Sequence, residues 1–303
     1  MVSVAVSLAF LVLYWVRPVA TEAITIWPAW IWAVPWVVAL ALRPKKNWKG
    51  LHMALLVWLV TSVMFSEVWK VVIPRRVGAT DVKVVSLNSG GDMLGAMKEL
   101  ARQSPDIALL QESSTYIDEP RYVAESFGEG YDGFFGHDGS VFVRGKILWG
   151  DKQSSNFSFV HAKLHDGRLV DIVSLRMMAP HARTQYWKKE TWEGYSRHRT
   201  EHLKELRGIW ERVKTMRTGA PLVMGGDFNL VPDREEPEIL GPELVDSFKV
   251  AGRGWYATAL TDVSLFRIDK VWVSEELKPR GTWSQRSEVS DHRFVVGHFD
   301  WVD

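Results

Sequence analysis

Three apolar runs fill most of the first 73 of 303 residues, and they restrict the fold more than anything that follows. Residues 2–16 carry no charge, residues 24–42 are uncharged between Glu22 and Arg43, and residues 51–69 carry one acid, Glu67. An uncharged helix of about 20 residues crosses the roughly 30 Å of bilayer hydrocarbon. The second and third runs meet that length. The first crosses only with bilayer thinning or help from its flanks. Trp15, Trp27, Trp48 and Trp69 stand at or near run ends, where an indole favours the interface. Pro28 and Pro35 inside the second run are better tolerated in a membrane bundle than in water. The expectation is a transmembrane region over 1–73 with about three helices (2–16, 24–42 and 51–69), a linker over 74–80 and a separate domain over 81–303. A cleaved signal peptide is the competing reading of the first run. It is opposed by the uncharged start at residues 1–4 and by the apolar runs that follow. A soluble helical hairpin would need more polar residues than these runs contain.

Charge divides at the same place. Residues 1–73 hold six bases and two acids (+4), and the remainder holds 31 bases and 34 acids (−3). The rear domain thus lacks the bulk positive charge of a nucleic-acid binder. The absence of Cys excludes disulfide scaffolds, thiolate metal sites and thiol catalysis. A transporter or channel is disfavoured, because the apolar runs hold almost no charged residues of the kind that line a pathway. The four bases within 43–49 favour a cytoplasmic loop, which after three crossings leaves the large domain extracytoplasmic. Lys70, Arg75 and Arg76 argue for the opposite side, but long domains weigh less in that rule.

Past Arg76 the pattern changes. Residues 82–87 read as a strand, Asp92 as a helix cap ahead of Met93, Leu94, Met97, Leu100 and Ala101, and residues 106–112 as a short buried strand. Together they make a βαβ unit. Residues 140–143, 157–164 and 168–175 read as strands, with Asp166-Gly167 as a hairpin turn. A long helix over about 183–217 shows Leu203, Leu206, Trp210 and Val213 as its buried stripe. Further strands are expected over 221–224, 266–273 and 293–299. Many strands with few helices suggest a two-sheet core covered by helices.

Acids and amides recur where these strands end: Asn88, Glu112, Asp227 with Asn229, Asp269, and Asp291 with His292. Each alone is an ordinary solvated residue or turn former. Together they can converge on one rim of a sheet, and an oxygen-rich set suits a hard cation such as Mg²⁺.

The segments 86–88 (Ser-Leu-Asn), 110–112 (Leu-Gln-Glu), 226–229 (Gly-Asp-Phe-Asn), 267–269 (Arg-Ile-Asp) and 290–292 (Ser-Asp-His) resemble, in this order, the motifs of the endonuclease/exonuclease/phosphatase superfamily of deoxyribonuclease-I-like phosphoesterases. The resemblance covers about residues 80–303, and such domains behind several membrane helices occur in bacteria, which implies an inner-membrane location. It implies a four-layer α/β sandwich of two packed mixed sheets flanked by helices, and a hydrolase using Mg²⁺ or Mn²⁺. It implies Glu112, Asn88 and Asp291 as metal ligands and Asp227 as the residue that aligns or deprotonates water. Asn229 would hold a phosphate oxygen, and His292, oriented by Asp269, would contact the scissile phosphate. Where many relatives place a His that assists the leaving group, this chain has Arg176. Arg cannot shuttle a proton but can stabilise charge on phosphorus or the leaving oxygen. His181, five residues on, is a second candidate proton donor. The expected partners are a lipid bilayer and a phosphate-ester substrate, nucleic acid or lipid headgroup, with no protein partner inferred. The function expected is direct attack of water on a phosphodiester or phosphomonoester; a phospholipid-headgroup phosphodiesterase and a non-catalytic membrane-bound module are the alternatives.

Overall fold

A computed structural model of the chain describes residues 2–42, 48–113, 120–151, 156–181, 183–232, 234–260 and 262–302. Two compact units emerge: residues 1–71 with 180–201, and residues 72–179 with 202–303.

In the first unit, helix α1 (Val2–Val16) follows the first apolar run. The second run is not one helix, contrary to expectation. It breaks into a 3₁₀ turn (Val19–Thr21), α2 (Glu22–Thr25), a 3₁₀ turn (Ala29–Ala33) and α3 (Val34–Leu42). Pro28 explains the central break, since it has no N–H to give and caps the 3₁₀ turn that follows it. Helix α4 (Trp48–Phe65) starts ahead of the third run and stops short of its end, where a 3₁₀ turn (Val68–Val72) takes over. Among the described residues no single helix is long and apolar enough to cross a membrane; the pair Val19–Thr25 and Ala29–Leu42, bent by 68°, passes that test together. Of the loop expected to set orientation, residues 43–47 lie outside the described residues. The unit is held by polar contacts as well as packing. Trp32 Nε1 donates to Tyr14 Oη (3.0 Å), Trp27 Nε1 to Tyr186 Oη (2.9 Å), and Arg199 Nη1 to the Arg17 carbonyl (2.9 Å). Arg17 and Arg199 flank the buried Glu22 at 3.1 and 3.6 Å. His181 stacks on His198 at 4.9 Å, and burial with that second ring pushes its pKa down.

The second unit is a mixed α/β fold. β1 (Val82–Asn88), α5 (Met93–Arg102) and β2 (Ile107–Gln111) form the expected βαβ unit, with β1 and β2 parallel. Asp92 caps α5, accepting from Gly95 N at 3.0 Å. The buried stripe of α5 is Met93, Ala96, Met97 and Leu100; Leu94 faces outward. α6 (Pro120–Phe127) and β3 (Tyr131–Phe134) lead into β4 (Gly139–Asp151), β5 (Phe157–Leu164) and β6 (Leu169–Arg176). Asp166-Gly167 makes the turn between the last two, with Gly167 at φ +91° and Arg168 N on Asp166 Oδ1. Helix α7 (Lys189–Met216) buries Leu203, Leu206, Trp210 and Val213. Then come β7 (Leu222–Asp227), α8 (Glu235–Leu240), β8 (Leu244–Asp246), α9 (Ser247–Ala251), β9 (Asp269–Ser274), β10 (Leu277–Gln285) and β11 (Phe294–Trp301).

The strands form one large curled sheet ordered β10-β11-β1-β2-β4-β5-β6-β7-β9-β8, with β3 beside β4. Two sheets were expected. The 13-residue β4 joins them, pairing with β2 over Gly139–Val143 and with β5 over Gly145–Asp151. Val84, Leu109 and Val141 from one half share a core with Val160, Ile172, Val223 and Val271 from the other. α5 and α6 cover the outer face of the first half through Met97, Leu100 and Val123; Leu206, Trp210 and Val213 cover the second. Helical and strand periodicity thus leave each residue class on the face that buries it.

Two buried ion pairs fix β9 against its neighbours. Arg267 grips Asp246 with two hydrogen bonds (2.7 and 3.1 Å), and Lys270 pairs with Glu236. Burial opposes the charge on Asp246, but Arg267 outweighs it and holds the carboxyl below its usual range. Removing one member of such a pair typically costs about 3–5 kcal/mol, because the other is left buried and unpaired. These pairs bracket Asp269, so the register of β9 is set where a site residue stands.

Candidate active site

The ends of β1, β2, β6 and β7 and the starts of β9 and β11 lie on one rim of the curled sheet. Register makes the convergence unavoidable. Asn88 pairs with Gln111, so Glu112 follows beside it; Arg176 pairs with Asp227, and Asp227 with Asp269. Gly226, at φ +138°, permits the tight fit of β7 on β6, since a Cβ there would lie 2.0 Å from the Leu175 carbonyl.

Asp227 is the centre of this rim and is 2% exposed. Its Oδ1 accepts from Asn229 N (2.9 Å), and its Oδ2 from Asn88 Nδ2 (3.0 Å) and Asn229 Nδ2 (3.1 Å). Asn229, at φ +48°, also donates Nδ2 to the Met177 carbonyl, which fixes its amide. Burial raises the Asp227 pKa, and the neighbouring Asp269 raises it further, to about 7; His292 and the amide donors oppose the shift. Asp269, also 2% exposed, faces His292 Nδ1 at 2.9 and 3.1 Å. Burial works against a charged His292, but Asp269 and then Asp227 and Asp291 dominate and hold its pKa up at about 10. The imidazole is therefore a cation at neutral pH, with Nδ1–H committed to Asp269.

Glu112, at φ +53°, meets Asn88 Nδ2 (3.2 Å) on one side and Arg176 (2.9 Å) on the other. Arg176 also contacts Asp138 at 3.3 Å. Burial disfavours its charge, but Glu112, Asp138 and Asp227 more than compensate and raise its pKa. Asp291 is exposed and lies beside Gly90; a Cβ at Gly90 would come within 2.9 Å of Asp291 Oδ1. The glycine, at φ +60°, permits this close approach of residues 290–291 to the end of β1.

All eight residues singled out in the sequence thus stand on this rim. His181 does not enter the hydrogen-bonded set: its ring neighbours are His198 and Tyr195. Arg199, on the same long helix, is 3% exposed and held by Glu22 and Arg17. Sequence reasoning missed three contributors. Asp138 anchors Arg176, and nothing in its spacing separates it from a turn acid. Thr258 Oγ1 accepts from the backbone N–H groups of Ile268 and Asp269. Ser290 Oγ donates to the Asn88 carbonyl (2.6 Å) and accepts from His292 N (2.9 Å), tying the Ser-Asp-His turn to the end of β1.

Two groups of side chains offer metal donors. Asp227, Asp269 and His292 bring ligand atoms within 4.8 Å of one another. Two carboxylates and an imidazole are a donor set that a divalent metal ion can take, the imidazole giving up its proton on binding. Glu112, Asn88 and Asp291, the ligand set that the resemblance implies, offer side-chain oxygens at the ends of β1 and β2 and ahead of β11. These residues fit a hard divalent cation.

Residues 85–292 match the profile of the Endonuclease/Exonuclease/phosphatase family. No curated protein matches the chain in sequence at a significant level. Among solved structures, an endonuclease/exonuclease/phosphatase from Bacteroides vulgatus superposes with a TM-score of 0.55 at 16% identity, covering 74% of this chain and 100% of that one. A mannosyl-6-phosphatase from Bacteroides thetaiotaomicron gives 0.53 at 16% identity, covering 73% and 100%. D. rerio TDP2 complexed with a single-strand DNA product gives 0.50 at 17% identity, covering 72% and 98%. At these identities the likeness is one of fold.

Proposed function

The chain belongs to the endonuclease/exonuclease/phosphatase family, and from that premise we propose that its rim hydrolyses phosphate diesters by direct attack of water, with Mg²⁺ or Mn²⁺ bound. The curled sheet supplies the two inner layers of the family's four-layer sandwich on this reading. The observation that carries it is the continuous contact chain Arg176–Glu112–Asn88–Asp227–Asn229, with Asp269–His292 beside it. A structural network has no need to bury an acid between two amides with a second acid and an imidazole alongside it.

Each side chain has work suited to its chemistry. Glu112, Asn88 and Asp291 would hold the cation, which supplies neutralising charge to a phosphoryl oxygen. Asp227 accepts a proton from the attacking water; a base with a pKa near 7 is well matched to that task at neutral pH. Asn88 and Asn229 fix its two oxygens, so the lone pair is aimed before substrate arrives. His292, cationic and braced by Asp269, donates to a non-bridging oxygen. Arg176, charged at any ordinary pH, stabilises the leaving oxygen without moving a proton.

The pH profile tests this division of labour. Asp227 must be ionised, so kcat/KM should rise through about pH 7; His292 must be protonated, so it should fall through about pH 10. The acid limb moves to lower pH when a cation sits nearby. Hydrolysis of bis(p-nitrophenyl) phosphate measured from pH 5 to 11 reads both limbs. A profile that increases without limit into alkali would remove His292 from its role.

We also hold that residues 1–73 anchor the chain as a multi-pass region of a bacterial inner membrane, with the domain extracytoplasmic. The first unit supports this with large exposed aliphatics, including Val12 (59%), Leu42 (76%) and Leu59 (61%), an apolar surface that water does not favour. Expressed in a bacterium, the chain should stay with membranes through alkaline carbonate washing, and protease added to spheroplasts should digest the domain. Release by carbonate would refute the anchor, and protection in intact spheroplasts would refute the orientation.

A further inference from the structure

Beside the rim lies an open groove of about 650 Å³, a size suited to a small-molecule arm. Its lining includes Leu260, Asp262, Val263, Arg286, Glu288 and Asp291. Asp291 belongs to both groove and rim. Ser290, also in the lining, is the residue that bonds Asn88 and His292. Whatever is joined to a phosphate on the rim therefore has this groove as its continuation.

The groove has two chemical features. Its lip is aliphatic and unburied: Leu260 is 60% and Val263 67% exposed, with Val289 nearby in sequence at 36%. Its walls carry three carboxylates and one guanidinium, and the guanidinium of Arg286 is already bound to Asp262 at 2.7 Å. A fourth carboxylate, the buried Glu99, lies beneath, accepting from Glu288 N and Ser287 Oγ. Arg102 approaches Glu288 only at 3.8 Å, with both side chains largely exposed, a contact that neutralises little. A polyanionic strand would lay its next phosphates against these acids, which like-charge repulsion disfavours. An apolar lip would also gain nothing from a sugar-phosphate backbone.

Resting on the phosphodiesterase reading, we propose that this groove takes the alcohol arms of a zwitterionic phospholipid, so that the natural substrate is a lipid phosphodiester at a bilayer surface rather than a nucleic acid. The aliphatic lip meets the acyl-glycerol side, and Glu288, the wall carboxylate held neither by Arg286 nor by the cation, faces an ammonium headgroup. Water adds to phosphorus, the P–O bond to one alcohol breaks, and the proton lost by water ends on that alcohol, giving a phosphomonoester and a free alcohol. No oxidant or co-reactant is required.

The test uses the full chain in mixed detergent micelles with Mn²⁺ and four substrates: bis(p-nitrophenyl) phosphate, phosphatidylcholine, phosphatidylglycerol and a single-stranded oligonucleotide. Phosphatidylcholine should exceed the oligonucleotide in kcat/KM by at least about tenfold and should also exceed phosphatidylglycerol. The double substitution Leu260→Ser with Val263→Ser should raise the KM for phosphatidylcholine by about tenfold, as expected from losing part of the burial of two aliphatic side chains, and leave bis(p-nitrophenyl) phosphate unchanged. Hydrolysis of bis(p-nitrophenyl) phosphate together with preference for the oligonucleotide or for phosphatidylglycerol, or with a silent double variant, overturns the groove proposal while the phosphodiesterase reading stands. Failure of wild type on all four substrates overturns both.

Discussion

Asp227→Asn should lower kcat on bis(p-nitrophenyl) phosphate by about 10²–10⁴-fold, the usual worth of a positioned general base. At about 1.4 kcal/mol per factor of ten, that is roughly 3–5 kcal/mol of lost transition-state stabilisation. The substitution isolates proton acceptance because it keeps shape. Asp227 accepts three hydrogen bonds, from Asn229 N, Asn229 Nδ2 and Asn88 Nδ2. An amide in its place can still accept on one side, but its NH₂ faces an N–H donor on the other. That mismatch costs about 1–3 kcal/mol of stability, partly offset because a buried carboxylate no longer needs to be charged. KM should move little, since Asn229, Arg176 and His292 remain. A thermal melt showing a cooperative transition, with kcat lost and KM retained, is the expected pair of results. An unchanged kcat would take Asp227 out of the chemistry.

The same residue shows what a sequence can reveal. Gly-Asp-Phe-Asn at 226–229 was legible because Asp227 ends β7 and Asn229 follows two residues later, and strand ends point to a rim by geometry alone. Asn88, Glu112, Asp269 and His292 were legible for the same reason. The support beneath them was less so. Asp138 holds Arg176 from a loop, Thr258 holds the start of β9 through two backbone amides, and Ser290 links β1 to the last turn. Each acts through a contact 10 or more residues away in sequence, and no local pattern encodes such a pairing. The strand β10, interrupted by Pro279 and Gly281, gave no alternation to read; it is a strand because β11 pairs with it. At the front, hydropathy located the apolar runs but not their breaks. The run over 24–42 satisfies a length rule on paper, while Pro28 divides it into pieces bent by 68°.

Arg176 stands where the resemblance leads one to expect a histidine, and its surroundings show how an arginine is held there. Glu112 and Asp138 hold the guanidinium from two sides, so its charge is aimed rather than free to wander. The contact with Glu112 also couples the two halves of the rim: the carboxylate proposed above to hold the cation is the one that orients Arg176. Removing the cation should therefore cost more than its own charge, since Glu112 would then be free to neutralise Arg176 completely.

The account rests on the claim that oxygens from separate strands hold a divalent ion at the rim and that water attacks phosphorus there. The direct measurement is hydrolysis of bis(p-nitrophenyl) phosphate by the full chain before and after exhaustive treatment with EDTA, followed by return of Mg²⁺ or Mn²⁺. Loss of Lewis-acid stabilisation is worth several kcal/mol, so activity should fall by at least about 10³-fold and recover on adding either ion, and Glu112→Gln should raise the concentration of ion needed for half recovery. Activity that survives chelation undiminished, or that no divalent ion restores, would contradict the central claim.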